Sequence, residues 1–334
     1  MLPGQAQIIE SAPCGWVRQS APAQSETRIG PVLEREPVWE ASLVAVEGTV
    51  IFPDALPTAE LDALAPSEGG AYYVRFRTGA LIGRAYRITE SGADFLALEG
   101  AVEELEVLVA GDLLEILPYW TLGTLYPLEA AGVAFIPSVS SLVRQTEVLF
   151  YDPAGVGINR APVATYYFFN GAWRKVGAAV SQSFSGTPIS PDAYLVQRNK
   201  AAATTLTYCG LVSTGPRVIP LSGSLSARQD HHLTVPHPVP VTLRESGLFE
   251  SGAFQPSASS LVRGDELLLF DPAQTGVNQA PVTTYYHLNG GWRRLGAPLT
   301  SDFSDSVELL PGGGFILRKA SGQPERFWTF LPNL

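Results

Sequence analysis

The chain has 334 residues, of which 46% are hydrophobic and only 16% are charged, and it contains 32 glycines and 27 prolines. So many turn-forming residues exclude a helical bundle or a coiled coil, because proline and glycine interrupt helices. The net charge of −10, with arginines and lysines scattered along the chain, excludes a nucleic-acid binder, which needs a clustered basic surface.

The first 130 residues are predicted to form a β-rich domain. Short runs of alternating apolar and polar residues, separated by turn residues, favour strands. The predicted strand segments are a hairpin over 42–52 and strands over 71–77, 82–88, 106–109 and 113–117. A helical pattern occurs here only over residues 57–64.

An internal repeat organises the rest of the chain. The segment 137–144 recurs as 256–263, an offset of 119 residues, and 24 of the 39 positions in 140–178 are identical in 259–297. Identity this dense indicates a tandem duplication. The expected units are an N-terminal domain (1–130), a complete repeat (131–249) and a truncated repeat (250–334). The truncated copy is either a shortened module or one completed by a strand from the N-terminal region or from another molecule.

Each copy is predicted to be an antiparallel meander. An apolar strand ends at Asp-Pro, and a loop then leads to a strand containing Tyr-Tyr. Asn-Gly joins that strand to one containing tryptophan, because both residues accept the positive φ of a type I′ turn. We therefore predict an all-β protein of serial antiparallel β-sandwich or barrel-like modules with a tandem repeat of period 119.

Two duplicated features are candidate sites. The loops that begin at Asp152 and Asp271 end at Asn159 and Asn278. Their oxygens could hold Ca²⁺, but two ligands are too few, and Asx-type capping of a long hairpin loop is the better explanation. Beyond this calcium no cofactor is expected. The second feature is a set of aromatic residues that could stack on a sugar or a protein partner if exposed, or pack across strands if buried. This set is Tyr166, Trp173, Tyr285 and Trp292.

No catalytic residues are predicted. The chain contains no Gly-x-Ser-x-Gly motif, no His-Glu-x-x-His motif and no phosphate-binding glycine loop after a strand. In an extended segment, His231 and His232 point to opposite faces, which argues against a shared metal site. An enzyme that works through a pair of carboxylates stays open as an alternative.

Several motifs together resemble a family of predicted secreted proteins that occurs as multiple paralogues in verrucomicrobial-type bacteria. They are Gly15-Trp16-Val17, Tyr72-Tyr73-Val74, Trp120-Thr121-Leu122-Gly123-Thr124 and the twin Tyr-Tyr…Asn-Gly…Trp blocks. The resemblance implies a secreted or outer-surface protein with a mature start near residue 8, and it supplies no activity. Cys14 and Cys209 depart from the family pattern; they either form a disulfide or are two separate buried thiols.

We therefore expect a non-enzymatic extracellular structural protein that forms a homo-oligomer or polymer, such as a filament, layer or matrix subunit. An N-terminal arm at residues 7–9, or the strand-like tail from Arg326, could add to the sheet edge of a neighbouring copy. The alternative is a carbohydrate-binding or adhesion module with a polysaccharide partner. No nucleic-acid partner is expected, and no apolar run predicts a transmembrane segment.

Overall fold

A computed structural model describes residues 12–56, 71–153 and 155–332 of the chain. This part is nearly all β, with antiparallel pairing between its named strands, so the predicted fold class is confirmed. No helix in it is long and apolar enough to cross a membrane. The predicted helix at 57–64 and the arm at 7–9 lie outside the described residues.

The first eight strands divide between a sheet module and a barrel. They are β1 (Cys14–Ala21), β2 (Ser25–Ile29), β3 (Trp39–Glu47), β4 (Val50–Pro53), β5 (Tyr72–Phe76), β6 (Ala85–Ser91), β7 (Leu96–Leu98) and β8 (Leu113–Pro118). Strands β3 to β8 close into a barrel in the order β3-β4-β7-β6-β5-β8 around its own apolar core. The prediction of a strand over residues 106–109 is wrong, because these residues follow the short helix α1 (Val102–Leu105) and are not in a strand.

The remaining strands form two sheet modules. They are β9 (Trp120–Thr121), β10 (Thr146–Phe150), β11 (Ala164–Phe169), β12 (Ala172–Lys175), β13 (Pro188–Ile189), β14 (Leu195–Asn199), β15 (Thr204–Leu211), β16 (Arg217–Leu221), β17 (Gln229–Thr234), β18 (Val241–Thr242), β19 (Glu266–Leu269), β20 (Thr283–Leu288), β21 (Gly291–Arg294), β22 (Glu308–Leu309), β23 (Gly314–Lys319) and β24 (Arg326–Phe330). Helix α2 (Leu122–Leu125) and a 3₁₀ turn (Leu128–Ala130) follow β9.

The two modules have the same strand order. In the first, the main sheet runs β12-β11-β10-β14-β2 and β1 pairs with β15; in the second, it runs β21-β20-β19-β23-β17 and β16 pairs with β24. Both predicted Asn-Gly turns have positive φ at both residues. Each module has its own core, with Trp173 buried in the first and both Trp292 and Trp328 buried in the second.

The strand pairing crosses the predicted domain boundaries. Strands β1 and β2 pair with β15 and β14, so the first module begins at the N-terminal strands and the barrel is inserted between β2 and β9. The second copy receives β16 and β17 from the residues that precede it in the same chain. The tail strand β24 is likewise paired within the chain, to β16. Sequence similarity covers the meanders alone, which is why it does not show these flanking strands.

Reciprocal loop contacts join the two sheet modules. The loop after β10 reaches the second module, where the Asn159 amide donates to Asp230 (2.8 Å) and the Asp230 amide donates to the Gly157 carbonyl (3.0 Å). Each acidic side chain also accepts from an arginine of its own sheet. The equivalent contacts of the loop after β19 are Asn278 to Glu26 (2.9 Å) and Glu26 to Gly276 (3.0 Å). Each module therefore extends one loop onto the other, and the two modules are related by approximate two-fold symmetry.

Replacing Asp230 tests this arrangement. Its side chain is fully buried and accepts from Asn159 and Arg318, so Asp230→Ala removes the ion-pair partner of a partly buried guanidinium and the acceptor of a loop amide. We expect the free energy of unfolding, measured by urea denaturation, to fall by about 3–5 kcal/mol. The matched control is Asp305→Ala, which breaks the exposed pair with Arg244 and should change stability little. Equal effects of the two substitutions would contradict the assigned role of Asp230.

Candidate functional site

The aromatic residues predicted as a binding surface are buried. Tyr166, Trp173, Tyr285 and Trp292 are between 1% and 6% exposed. Trp173 packs against Tyr126, Phe135 and Phe168, and Trp292 against Phe254, so these rings belong to the module cores. They cannot contact a surface ligand, and the interpretation of these four residues as a sugar platform is corrected to cross-strand packing.

Of the four loop residues considered for calcium, Asn159 and Asn278 contact the opposite module, whereas the cited hydrogen bonds of Asp152 and Asp271 lie within their own loops. The side-chain oxygen of Asn159 accepts from Arg318 (2.9 Å), and the amide of Asn278 donates to Glu26. Asp271 accepts from the amide two residues on (2.8 Å), and the carbonyl of Asp152 accepts from Arg160 (2.6 Å). Among the described residues, no group of three or more His, Cys, Asp or Glu is placed to bind a metal ion. These contacts assign the duplicated loops to module pairing.

The two cysteines are free and exposed, and no disulfide joins them. Cys14 lies opposite Leu211 and Cys209 lies opposite Trp16 in the β1–β15 ladder, so the thiols are diagonal neighbours. Diagonal side chains in antiparallel strands are about 7–8 Å apart, which is too far for the Cα spacing of about 4.4–6.8 Å that a disulfide needs.

The cysteine placement predicts two reactive thiols in the folded protein. Because both side chains are exposed, a thiol reagent should label two groups per chain without denaturant, and the intact mass should show no loss of two hydrogens. Labelling that appears only after reduction would contradict the β1–β15 register that keeps the two thiols apart.

Two buried histidines are held neutral. His232 stacks on Tyr151 (4.2 Å between ring centroids) and shares a hydrogen bond with the Tyr194 hydroxyl (2.7 Å), while His231 contacts the Ser222 carbonyl (2.8 Å). Burial lowers the pKa of each histidine from 6.5 to about 4. They are part of the packing at β17 rather than a metal site or a polar linker.

These histidines predict a loss of stability on mild acidification. Since protonation is disfavoured in the folded state, their contribution is complete above pH 6.5 and declines as the pH falls toward 4. Each histidine should lower the free energy of unfolding by about 2 kcal/mol at pH 5 relative to pH 8. Urea denaturation at both pH values should show a smaller difference for His232→Phe than for the wild type. An unchanged difference would contradict the neutral, buried state of His232.

An exposed apolar loop occurs once in each copy of the repeat. The Leu–Val loops, residues 138–144 and 257–263, present leucines that are 86% and 89% exposed, each followed by a half-exposed valine. These are Leu142 and Val143 in the first loop and Leu261 and Val262 in the second. Five consecutive identities, Ser-Ser-Leu-Val-Arg, lie here. The sequence signal was visible, but repetition alone does not distinguish exposed leucines from core leucines.

The Leu–Val loops are held by matching hydrogen bonds. In the first, the Ser140 hydroxyl accepts from the amides of Leu142 (3.2 Å) and Val143 (3.0 Å), and Arg144 bridges Glu147 (2.6 Å) and the Ser141 carbonyl (2.9 Å). In the second, Ser259, Arg263 and Glu266 make the same set. The leucines are thus presented on loops whose shape is fixed by side-chain contacts.

The two Leu–Val loops lie at opposite ends of the module pair. Each precedes its strand, β10 or β19. Arg198 lies opposite both Glu147, near the start of β10, and Glu26 of β2, so Glu26 lies level with the start of β10. The loop that contacts Glu26 through Asn278 follows the end of β19. The end of β19 therefore lies near the start of β10. Strands β10 and β19 therefore pass each other in opposite directions, which places their starts far apart.

A cleft of about 1030 Å³ lies between the barrel and the first module. Its floor holds buried ion pairs: Glu34 binds Arg75 and Arg217, and Arg75 also binds Glu115 (2.6 Å). Burial would raise the pKa of Glu34, but Arg217 and Arg75 together hold it below its ordinary value. A carboxyl group kept ionised in this way is unsuited to act as a general acid near neutral pH.

The chain matches no protein-family model, and no curated protein or solved structure is significantly similar to it. The geometry of the chain itself therefore carries the functional argument.

Proposed function

We propose that this protein is a non-enzymatic structural subunit whose copies assemble through the two Leu–Val loops. The observation that carries the proposal is the duplicated presentation of an almost fully exposed leucine on a fixed loop. Water-exposed leucine and valine add nothing to the core of either module, and an apolar pair held this way is typical of a contact surface. Export to the cell surface or matrix is supported by the family resemblance.

The placement of the loops favours an extended assembly. Each chain has one loop at either end of the module pair, so contacts between loops of successive copies generate a row of chains rather than a closed dimer. This proposal replaces strand addition by the tail, because β24 already pairs with β16.

Each Leu–Val loop has a further exposed apolar residue, which is Val139 (72% exposed) within the first loop and Leu225 beside the second. The loop 222–228 lies beside the second Leu–Val loop, since Arg228 donates to the Gly264 carbonyl (3.1 Å) and pairs with Glu266 (3.1 Å). This neighbouring loop presents Leu225, which is 82% exposed.

The energies indicate that one loop contact is weak. Burying a leucine and a valine contributes roughly 3–6 kcal/mol, which is comparable to the ~4–15 kcal/mol lost in association. A row held by one such contact at each junction should therefore form only at high protein concentration.

Charge substitutions in the loops test the proposal. We expect wild-type protein to form larger species with increasing concentration in light-scattering measurements. Leu142→Glu or Leu261→Glu should confine it to dimers or monomers, because one end is disabled, and the double variant should be monomeric. Leu113→Glu makes the same change at an exposed position of the barrel and should assemble like the wild type.

Both leucines are solvent-exposed, so the variants should fold like the wild type. Circular dichroism of the variants checks this, and so distinguishes a loss of assembly from a loss of folding. A wild-type protein that stays monomeric at all concentrations, or a double variant that assembles normally, would overturn the proposal. The alternative carbohydrate-binding function lacks support because its four proposed residues are buried.

A further inference from the structure

A second pocket, of about 420 Å³, lies between the two sheet modules. Its volume is within the range of about 300–1,000 Å³ that is usual for small-molecule sites. The apolar lining comes from the second module, and the polar lining from β1, β2 and the loop after β19. The apolar residues are Leu269, Phe270, Leu309, Leu310 and Phe315.

One arginine, Arg28, lines this pocket. Its guanidinium lies 3.1 Å from the centroid of the Phe270 ring and donates to the side-chain oxygen of Gln279 (2.9 Å). Within the described part of the chain, no carboxylate forms an ion pair with it. Burial lowers the pKa of Arg28, which remains a cation at any physiological pH. A partly buried cation without an ion pair can bind an anion, although the nearby Glu26 carboxylate also acts on the charge of Arg28.

Polar atoms of the lining also lack partners. The Nε of Arg28 and the side-chain oxygens of Gln19 and Gln274 are buried and have no hydrogen-bond partner among the described residues. Buried polar atoms without partners are costly, and a bound molecule is one way to satisfy them. The Arg28 donor would serve an acceptor group of that molecule.

The equivalent position in the second module differs. His232 stands there in place of Arg28, since Arg28 pairs with Val196 and His232 with Ile316 at matching positions of the two sheets. That histidine is neutral and is enclosed by Tyr151 and Tyr194. Of these two equivalent positions, only the one in the first module therefore carries a cation.

We propose that this pocket binds a small amphipathic monocarboxylate. Its carboxylate would lie on Arg28, and its apolar part would contact Leu269, Phe270 and Phe315. A singly charged head group fits better than a phosphate, because the carboxylates of Glu26 and Glu308 also line the pocket and repel additional negative charge. The proposal is independent of assembly through the Leu–Val loops.

Calorimetric titration with octanoate tests this site. The wild type should bind octanoate, whereas octan-1-ol, which has the same chain length and no charge, should bind more weakly. Arg28→Gln should weaken octanoate binding by roughly tenfold or more, as expected for loss of a charged hydrogen bond. Arg18→Gln makes the same change on the exposed face of β1 and should bind like the wild type.

A second variant covers the case in which Arg28→Gln does not fold. Leu310 is 43% exposed at the pocket, so Leu310→Glu should leave the fold intact and weaken octanoate binding by placing another negative charge in the lining. The proposal is overturned if the wild type does not bind octanoate. It is also overturned if folded Arg28→Gln, or Leu310→Glu, binds octanoate as tightly as the wild type does.

Discussion

Two buried carboxylates, Glu26 and Asp230, hold the sheet modules in register. Each forms an ion pair with an arginine of its own sheet, Arg198 or Arg318. Each also accepts a hydrogen bond from a backbone amide in a loop of the other module. Removing such a charge from water is expensive unless several donors surround it. Each carboxylate therefore has all its donors only when its own sheet is formed and the opposite module is correctly placed. This couples folding of the sheets to their docking.

The position of the barrel depends on a second buried group of charges. Glu34, in the segment that leads from β2 into the barrel, binds Arg75 of β5 and Arg217 of β16, and Arg217 also binds Asp192 (2.7 Å). One carboxylate thus contacts the barrel and the second module at once. Because Arg75 and Arg217 are themselves buried, an alternative barrel position would leave charges unpaired, so this network specifies one arrangement of the three units.

The sequence predicted the strands of the meanders and their Asn-Gly turns well because those signals are local. It could not predict that residues 14–29 and 217–234 complete the sheets, since pairing over such distances leaves no periodic pattern. The alternation rule also failed for neighbouring tyrosines. Neighbouring residues of a strand face opposite sides, which would place one tyrosine of each pair outward, but Tyr167 is buried as well as Tyr166, with Arg144 lying over its ring at 5.7 Å. A strand covered on both faces does not show alternating burial.

Comparison of the two copies separates residues needed for folding from those with another role. Core positions differ between the copies: Phe168 is replaced by His287, which stacks on Phe249 at 3.4 Å. A core accepts such changes when its neighbours adjust. The Leu–Val loops are identical over Ser-Ser-Leu-Val-Arg although their leucines support no core. Packing explains the serine and arginine, which fix the loop, but it does not explain an exposed leucine. The assembly proposed above would explain it, since two contacts on one chain are what a bridging subunit requires.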